Sequence, residues 1–563
     1  MFWQIKNPAA RSWICKREDS PVFVFMKPLV FIILFCGLSF GGIRGNAQTS
    51  QTVLGDTLAS DFEYLVEMLE STHPDPYTGF GGKFFFRKAA FELENRLRST
   101  PHSMQEFYDQ VSVFLSNIRD GHTWLSSPAP SGEQMQRMLP LRLKVIPDGL
   151  IVNGLPKTYR HLLGSRVLSI QGDSLQAVVT RASRLRACEN LYGSYTLVCN
   201  QILHEKFLHQ LFPGQKDSLC LTLLSPDNRT EQVTLPLESA EKAYADITAF
   251  VSTSMQLPKK QLEYRYIDKE KQVMYINIDM IYGRDNFEFM YNNGWGGMEQ
   301  LDNYYRNLGM KMPADTLEAI RNLASFSETF AEMLTEMKDN RSATLIIDLR
   351  GNSGGWTPIT LPTLYQLYGP RCITVERGKF YQLISPLLLQ KQNTDLAHFN
   401  RDRKANWKMG DYTLAVEDTT ASVPTIEQLC RDNIYMTSVP HLLAAQNGKP
   451  LYTPRHVFVV TDCNTFSAAF HYTFYLWKLG ATVVGVPSRQ APNTFMEQTM
   501  FKLPLTGLQG SISNSLQIFL PGNDRRAKTF YPDWMPSYED YKKYDFDSNA
   551  EILFLLEKLK KEF

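Results

Sequence analysis

The 563 residues carry 59 Lys and Arg against 58 Asp and Glu, a balance that gives neither nucleic acid nor an anionic membrane an electrostatic footprint. With 43% hydrophobic and 12% aromatic residues the chain is not a disordered polymer, and it is long enough to bury two or three separate cores.

From Met26 the chain reads as an export signal: a short basic start, an apolar run and a small-residue exit near Ala47. The run is too short to span a bilayer. Cleavage near Ala47 would leave Gln48 as the new amino terminus, in a periplasmic or extracellular protein. Bulky Phe35 ahead of Cys36 argues against a lipid anchor. Residues 1–25 carry mixed charge and no pattern, so either translation begins at Met26 or the segment makes an extended signal. Beyond the signal stand Cys188, Cys199, Cys220, Cys372, Cys430 and Cys463, the first three close enough in sequence for a local bridge. The ligand spacing of a zinc site is absent, and neither metal nor cofactor is expected.

The mature chain opens helical, over residues 48–138. Leu58, Phe62, Leu65, Val66 and Leu69 share one face, and the pattern stops at His73-Pro74, because proline disfavours helix in the residue before it. A second helix is expected over about 84–98. A third, with apolar Met104, Phe107, Val111, Phe114, Leu115 and Ile118, starts at a Ser103/Glu106 capping box and delivers Asp120-Gly121-His122-Thr123. From 139 to 245 short strands take over, such as 141–145 and 150–152, interrupted by a helical stretch over 180–215. The run Leu163–Leu175 resembles part of a PDZ domain, a module that adds an extended peptide to a sheet edge; a small β domain packed on the core is the plainer alternative. The core, 262–563, begins with an alternating strand over 273–278. It contains two long segments without strong periodicity, near 284–325 and 371–450, of the kind that form lids or binding walls. Strands at 343–349, 456–461 and 481–486, linked through helical stretches, predict partly parallel pairing. The chain ends in an amphipathic helix preceded by a second capping box, Ser548 and Glu551. The fold class is therefore α/β and multidomain: a helical N-terminal region, a β-rich PDZ-like module and a mixed α/β core.

Chemistry concentrates in three places. Ser467 stands between the apolar strand 456–461 and a helical stretch, where unpaired N–H groups and the helix dipole can stabilise an oxyanion. Taken alone it is more often a helix cap than a nucleophile. Asp348-Leu349-Arg350-Gly351-Asn352-Ser353-Gly354-Gly355 ends a buried strand in paired glycines, which let the backbone approach a ligand and aim N–H groups at it. Among ten histidines, His122 is the best placed as a base, with an ordinary pKa of ~6.5.

In this order, Asp120–Thr123, Asp348–Gly355 and Thr465–Ala469 with Gly480–Gly485 resemble the peptidase domain of the C-terminal processing, or tail-specific, serine proteases, a family that includes the tricorn core protease. The resemblance implies a crotonase-like spiral and a Ser467 nucleophile, with oxyanion donors at Ala468 and at Gly354 or Gly355. Many members pair the serine with a lysine in a Gly-x-x-Thr-x-Gly-Lys stretch, and here Ala491 holds that position. Lys478, eleven residues after Ser467, is ~16 Å along a helix and cannot substitute. His471 reads as a helix-face residue. The tricorn-like branch, with His122 as base, fits better, although the glutamate that orients the histidine there is missing; Asp524 is the nearest carboxylate. Arg350 could clamp a substrate carboxylate or pair with Asp348. The implied activity is an exported serine endopeptidase acting on peptides or proteins, with cleavage near C-termini. The alternative is an inactive relative that keeps the fold and binds peptides or small hydrophobic ligands.

Overall fold

The computed structural model describes residues 52–128, 137–214, 217–250, 255–294, 297–375, 378–414, 446 and 448–562. The export signal, Cys430 and much of the segment near 371–450 lie outside them. The chain divides into two compact units. Of the described residues, one takes Leu257–Val483; the other takes those up to Gln256 together with those from Val484 onward. This division cuts the stretch 262–563 that the sequence reads as a single core.

In the Leu257–Val483 unit a sheet runs in the order Tyr264–Tyr266, Val273–Asn277, Thr344–Asp348, His456–Thr461, Thr482–Gly485. Val273–Asn277 and His456–Thr461 both pair parallel with Thr344–Asp348. All five residues of that central strand are buried, as expected of a parallel strand covered on both faces. Helix Phe326–Asn340 leads into it, capped by Ser325 and burying Phe326, Phe330, Met333, Leu334 and Met337. The stretch 284–325, aperiodic in sequence, folds as helices Arg284–Asn292, Met298–Asn307 and Thr316–Arg321. Helices of six to ten residues make too few turns for a 3.6-residue period to stand out. Part of the second such stretch is also ordered: Ile384, Leu388, Leu389 and Phe399 form a small core closed by Leu396 and Trp407.

In the other unit, helices Gly55–Thr72, Lys83–Ser99 and Met104–Ser116 occupy the places expected of them, and the Ser103/Glu106 capping box is formed. A seven-stranded sheet follows along the path Thr230–Pro236, Ser218–Leu224, Arg166–Ile170, Gly149–Pro156, Ile247–Ala249, with Arg142–Ile146 and Asp173–Ser174 beside it. Helices Leu175–Ala182, Leu191–Gln201 and Glu205–Leu211 interrupt its strands. A long antiparallel hairpin, Asn493–Lys502 with Gln509–Ile518, also pairs with Trp124–Leu125, so the turn at 120–123 is bound to it. The terminal helix is Ala550–Glu562, and Glu551 ties it to neighbouring elements. Its buried carboxylate accepts from Tyr541 Oη at 2.8 Å and pairs with Lys144 at 2.7 Å. Among the described residues, Cys188, Cys199 and Cys220 form no bridge with one another, unlike the expected local bridge. Cys199 Sγ instead reaches the Leu143 carbonyl, and Cys188 Sγ that of Arg186. Among the described residues no helix is long and apolar enough to cross a membrane.

Two substitutions separate packing from capping. Ile346→Ala, at a fully buried position of the central strand, should lower the unfolding free energy by ~2–5 kcal/mol in urea titration, and Ser103→Ala by ~1 kcal/mol.

Candidate active site

Ser467 sits where strand His456–Thr461 has turned into helix Ala468–Lys478. Its backbone lies at φ 53°, ψ −123°, and its side chain makes no capping hydrogen bond. A capping serine does the opposite: it keeps an extended backbone and accepts an N–H from the first turn. A left-handed φ at a non-glycine residue costs ~1–3 kcal/mol and persists only where the surroundings impose it. Here the imposition is visible. Thr465 Oγ1 donates to the Leu349 carbonyl at 2.9 Å, the Phe466 N–H to the Asn352 carbonyl at 3.0 Å, and Asp462 Oδ1 accepts from both Gly351 and Asn464 at 2.9 Å. The turn carrying the serine is thereby bolted to the glycine loop.

The paired glycines are required by geometry. Gly354 and Gly355 have φ of 112° and 149°. A Cβ on Gly354 would come within 2.8 Å of Ser467 Cβ and 2.9 Å of Ala468 N, and one on Gly355 within 2.3 Å of the Ile281 carbonyl oxygen. Asn352 organises the loop, donating from Nδ2 to Ile278 at 2.8 Å and accepting the Gly354 N–H on Oδ1 at 2.9 Å. That bond uses the Gly354 N–H. The N–H groups of Gly355 and Ala468 have no acceptor among the described residues. Arg350 spans both Asp348 oxygens, Nη2 at 2.6 Å from Oδ2 and Nε at 3.0 Å from Oδ1, and Tyr275 Oη adds a third bond at 2.7 Å. The pairing with Asp348 expected of the guanidinium is present.

His471, one turn into the helix, is buried with Nδ1 3.1 Å from Thr357 Oγ1. Lys478 ends the helix with its ammonium over the rings of Phe474 and Trp477, at 5.7 and 5.9 Å from their centroids.

His122 belongs to the other unit. It is buried, and burial is the main cause of a pKa below the usual histidine value. The Asp120 carboxylate opposes that shift, and a hydrogen bond to the Phe495 main chain does so more weakly. Nδ1 stands 3.9 Å from Asp120 Oδ1 and 3.9 Å from Glu189 Oε1. These three side chains bring their donor atoms within 4.8 Å of one another. Asp120 accepts the His122 N–H on Oδ1 at 2.8 Å, and Thr123 Oγ1 on Oδ2 at 2.5 Å. Glu189, from the connection between helices Leu175–Ala182 and Leu191–Gln201, accepts the Gly121 N–H at 3.2 Å and the Ala491 N–H at 2.8 Å. Ala491, in the place of the dyad lysine, thus contributes its backbone to the histidine's surroundings. Burial, and then the charge of Asp120, push the Glu189 carboxyl up to about 8. Asp524 is engaged elsewhere, accepting from Arg526 Nε at 3.2 Å and Nη2 at 2.9 Å and capping the turn Arg525–Ala527. Sequence reasoning missed Glu189, which carries no local signal 67 residues from His122; Asp120 lay in plain view within the Asp-Gly-His-Thr motif.

Residues 318–502 match the family model described as Peptidase family S41, a span that contains the glycine loop and Ser467 but not His122. The chain is a serine-type peptidase in which residues 318–502 are similar to family S41. Among solved structures it is similar in fold to mature CPAF, with a TM-score of 0.54 at 14% identity over 87% of this chain and 95% of that one. Mature CPAF complexed with lactacystin gives a TM-score of 0.53 at 14% identity, over 89% of this peptidase and 99% of that chain. No curated protein matches the chain significantly.

Two expectations follow. Ser467→Gly should raise the peptidase's unfolding free energy by roughly 1 kcal/mol, part of the ~1–3 kcal/mol of strain less the entropy cost of glycine. An ordinary helix cap would instead lose a few tenths of a kcal/mol in the same chemical denaturation. Glu189 should make stability fall as pH rises from 4.5 to about 8, because the folded chain keeps a proton there that the unfolded chain releases. Melting temperatures of Glu189→Gln across that window should show a flatter profile than the parent protein.

Proposed function

We propose that this chain is an exported serine endopeptidase in which Ser467 is the nucleophile and His122 the general base, acting on peptide or protein substrates near their C-termini. The Ser467 Oγ–carbonyl bond forms as His122 takes the hydroxyl proton, and the oxyanion is held by the N–H groups of Ala468 and Gly355. Gly355 is preferred to Gly354 because the Gly354 N–H already bonds Asn352. The C–N bond breaks as His122 returns the proton to the leaving amine, and water then hydrolyses the acyl-enzyme. The PDZ-like region, 139–245, would capture extended substrate on Thr230–Pro236, which stands at one end of its sheet.

One observation carries this reading. Ser467 holds a strained backbone at a helix N-terminus without the capping bond that would give a structural serine its reason to be there. The competing carrier reading needs no such strain.

A fluorophosphonate probe tests the assignment directly on the purified protein. The parent chain should be labelled at Ser467, Ser467→Ala should not react, and His122→Ala should react at least ~10³-fold more slowly. Labelling that survives in Ser467→Ala, or that never occurs in the parent protein, would favour the carrier.

A further inference from the structure

The His73-Pro74 turn has so far served only to end a helix, yet it points a side chain at the surroundings of His122. His73 is buried, with Nε2 3.3 Å from Asp120 Oδ2. Its Nδ1 accepts the Asp75 N–H at 3.1 Å, so the ring proton sits on Nε2, facing the carboxylate. Its ring also packs on Phe495, with centroids 4.3 Å apart, and the Phe495 main chain hydrogen-bonds His122. Asp120 in turn accepts the His122 N–H and approaches its Nδ1. All these residues lie in one unit.

We propose that His73 is a positioning residue for His122, acting through Asp120: its Nε2–H keeps the Asp120 carboxylate ionised and turned toward the imidazole, in the role that the absent glutamate plays in tricorn-like relatives. The proposal rests on the reading of His122 as the base. A helix terminator needs only the proline, whereas this histidine commits Nε2 and a ring face to the neighbourhood of His122.

The electrostatics agree. Burial alone would push Asp120 up, but the hydrogen bond with His73, together with the interactions of His122 and Ser513, holds the carboxyl down to about 2. Without His73 that hydrogen bond is lost, and the pKa of Asp120 rises. A protonated Asp120 no longer stabilises an imidazolium at residue 122. The other groups facing the pair are Ser513 beside Asp120, Arg489 and Glu497, whose charges act on His122, and Glu189, which holds its proton to about 8.

The test is the pH dependence of fluorophosphonate labelling in the full chain. His73→Ala should react roughly 10²-fold more slowly at neutral pH, a part of the ~10⁴ that loss of the acid itself can cost, and should regain rate in alkali as Asp120 ionises. Asp120→Asn, which cannot ionise, should be at least as slow and gain nothing in alkali. His73→Gln, whose amide N–H has nearly the reach of Nε2, should stay within about tenfold of the parent. A His73→Ala rate that is parallel to the parent at every pH, or a glutamine variant no better than alanine, would overturn the proposal. If the parent chain itself never reacts, the Ser467 assignment has failed instead. The His73–Asp120 link is then read from the His122 imidazole resonances: a pKa lower in His73→Ala than in the parent supports it, and an unchanged one overturns it.

Discussion

A backbone bent against its own preference is the constraint on which the nucleophile region depends. Ser467 can stay at φ 53° only because its turn is tied at both ends to a second turn that ends a different strand. Thr465, Phe466 and Asp462 provide those ties, and each partner lies in the stretch Leu349–Asn352. Both turns are anchored by parallel strands whose central member is wholly buried. The rigidity of the sheet is thus converted into a fixed orientation for one hydroxyl and two N–H groups. Preorganisation of this kind spares reorganisation at the moment when negative charge develops.

A different problem is solved around His122, where two carboxyl groups and an imidazole share a dry space. Two full negative charges there would repel, and the fold divides the burden. Asp120 receives donors enough to remain ionised, while Glu189, beside it and deeper in electrostatic cost, holds its proton to about 8. Of these two carboxyl groups, Asp120 alone then faces the histidine as an anion. Glu189 keeps a structural use all the same, since its oxygens draw the Asp-Gly-His turn and the Ala491 backbone together.

Asn352 shows how one side chain decides between chemically equal candidates. The residues Gly354 and Gly355 are indistinguishable in sequence as oxyanion donors. In the fold, Asn352 accepts one N–H and leaves the other. Arg350 was similarly open to two roles, and its closeness to Asp348 and Tyr275 directs it into the strand-end network.

Strong local signals were legible in the sequence by itself. Helix Met104–Ser116 with its capping box, the stop at His73-Pro74 and the strands around Val273, Thr344 and His456 follow from periodicity, caps and turn residues acting within a few positions, whereas Ser467, the double glycine and His122 were grouped as candidates through a family resemblance. The short helices between 284 and 321 were hidden, because each presents too few apolar repeats. Glu189, the contact of His73 with Asp120, the separation of Cys188, Cys199 and Cys220, and the strain at Ser467 belong to the tertiary structure alone. They depend on which distant segments meet and at what angle, and a pairing such as Glu189 with Ala491, made across some three hundred residues, leaves no periodic trace in either segment.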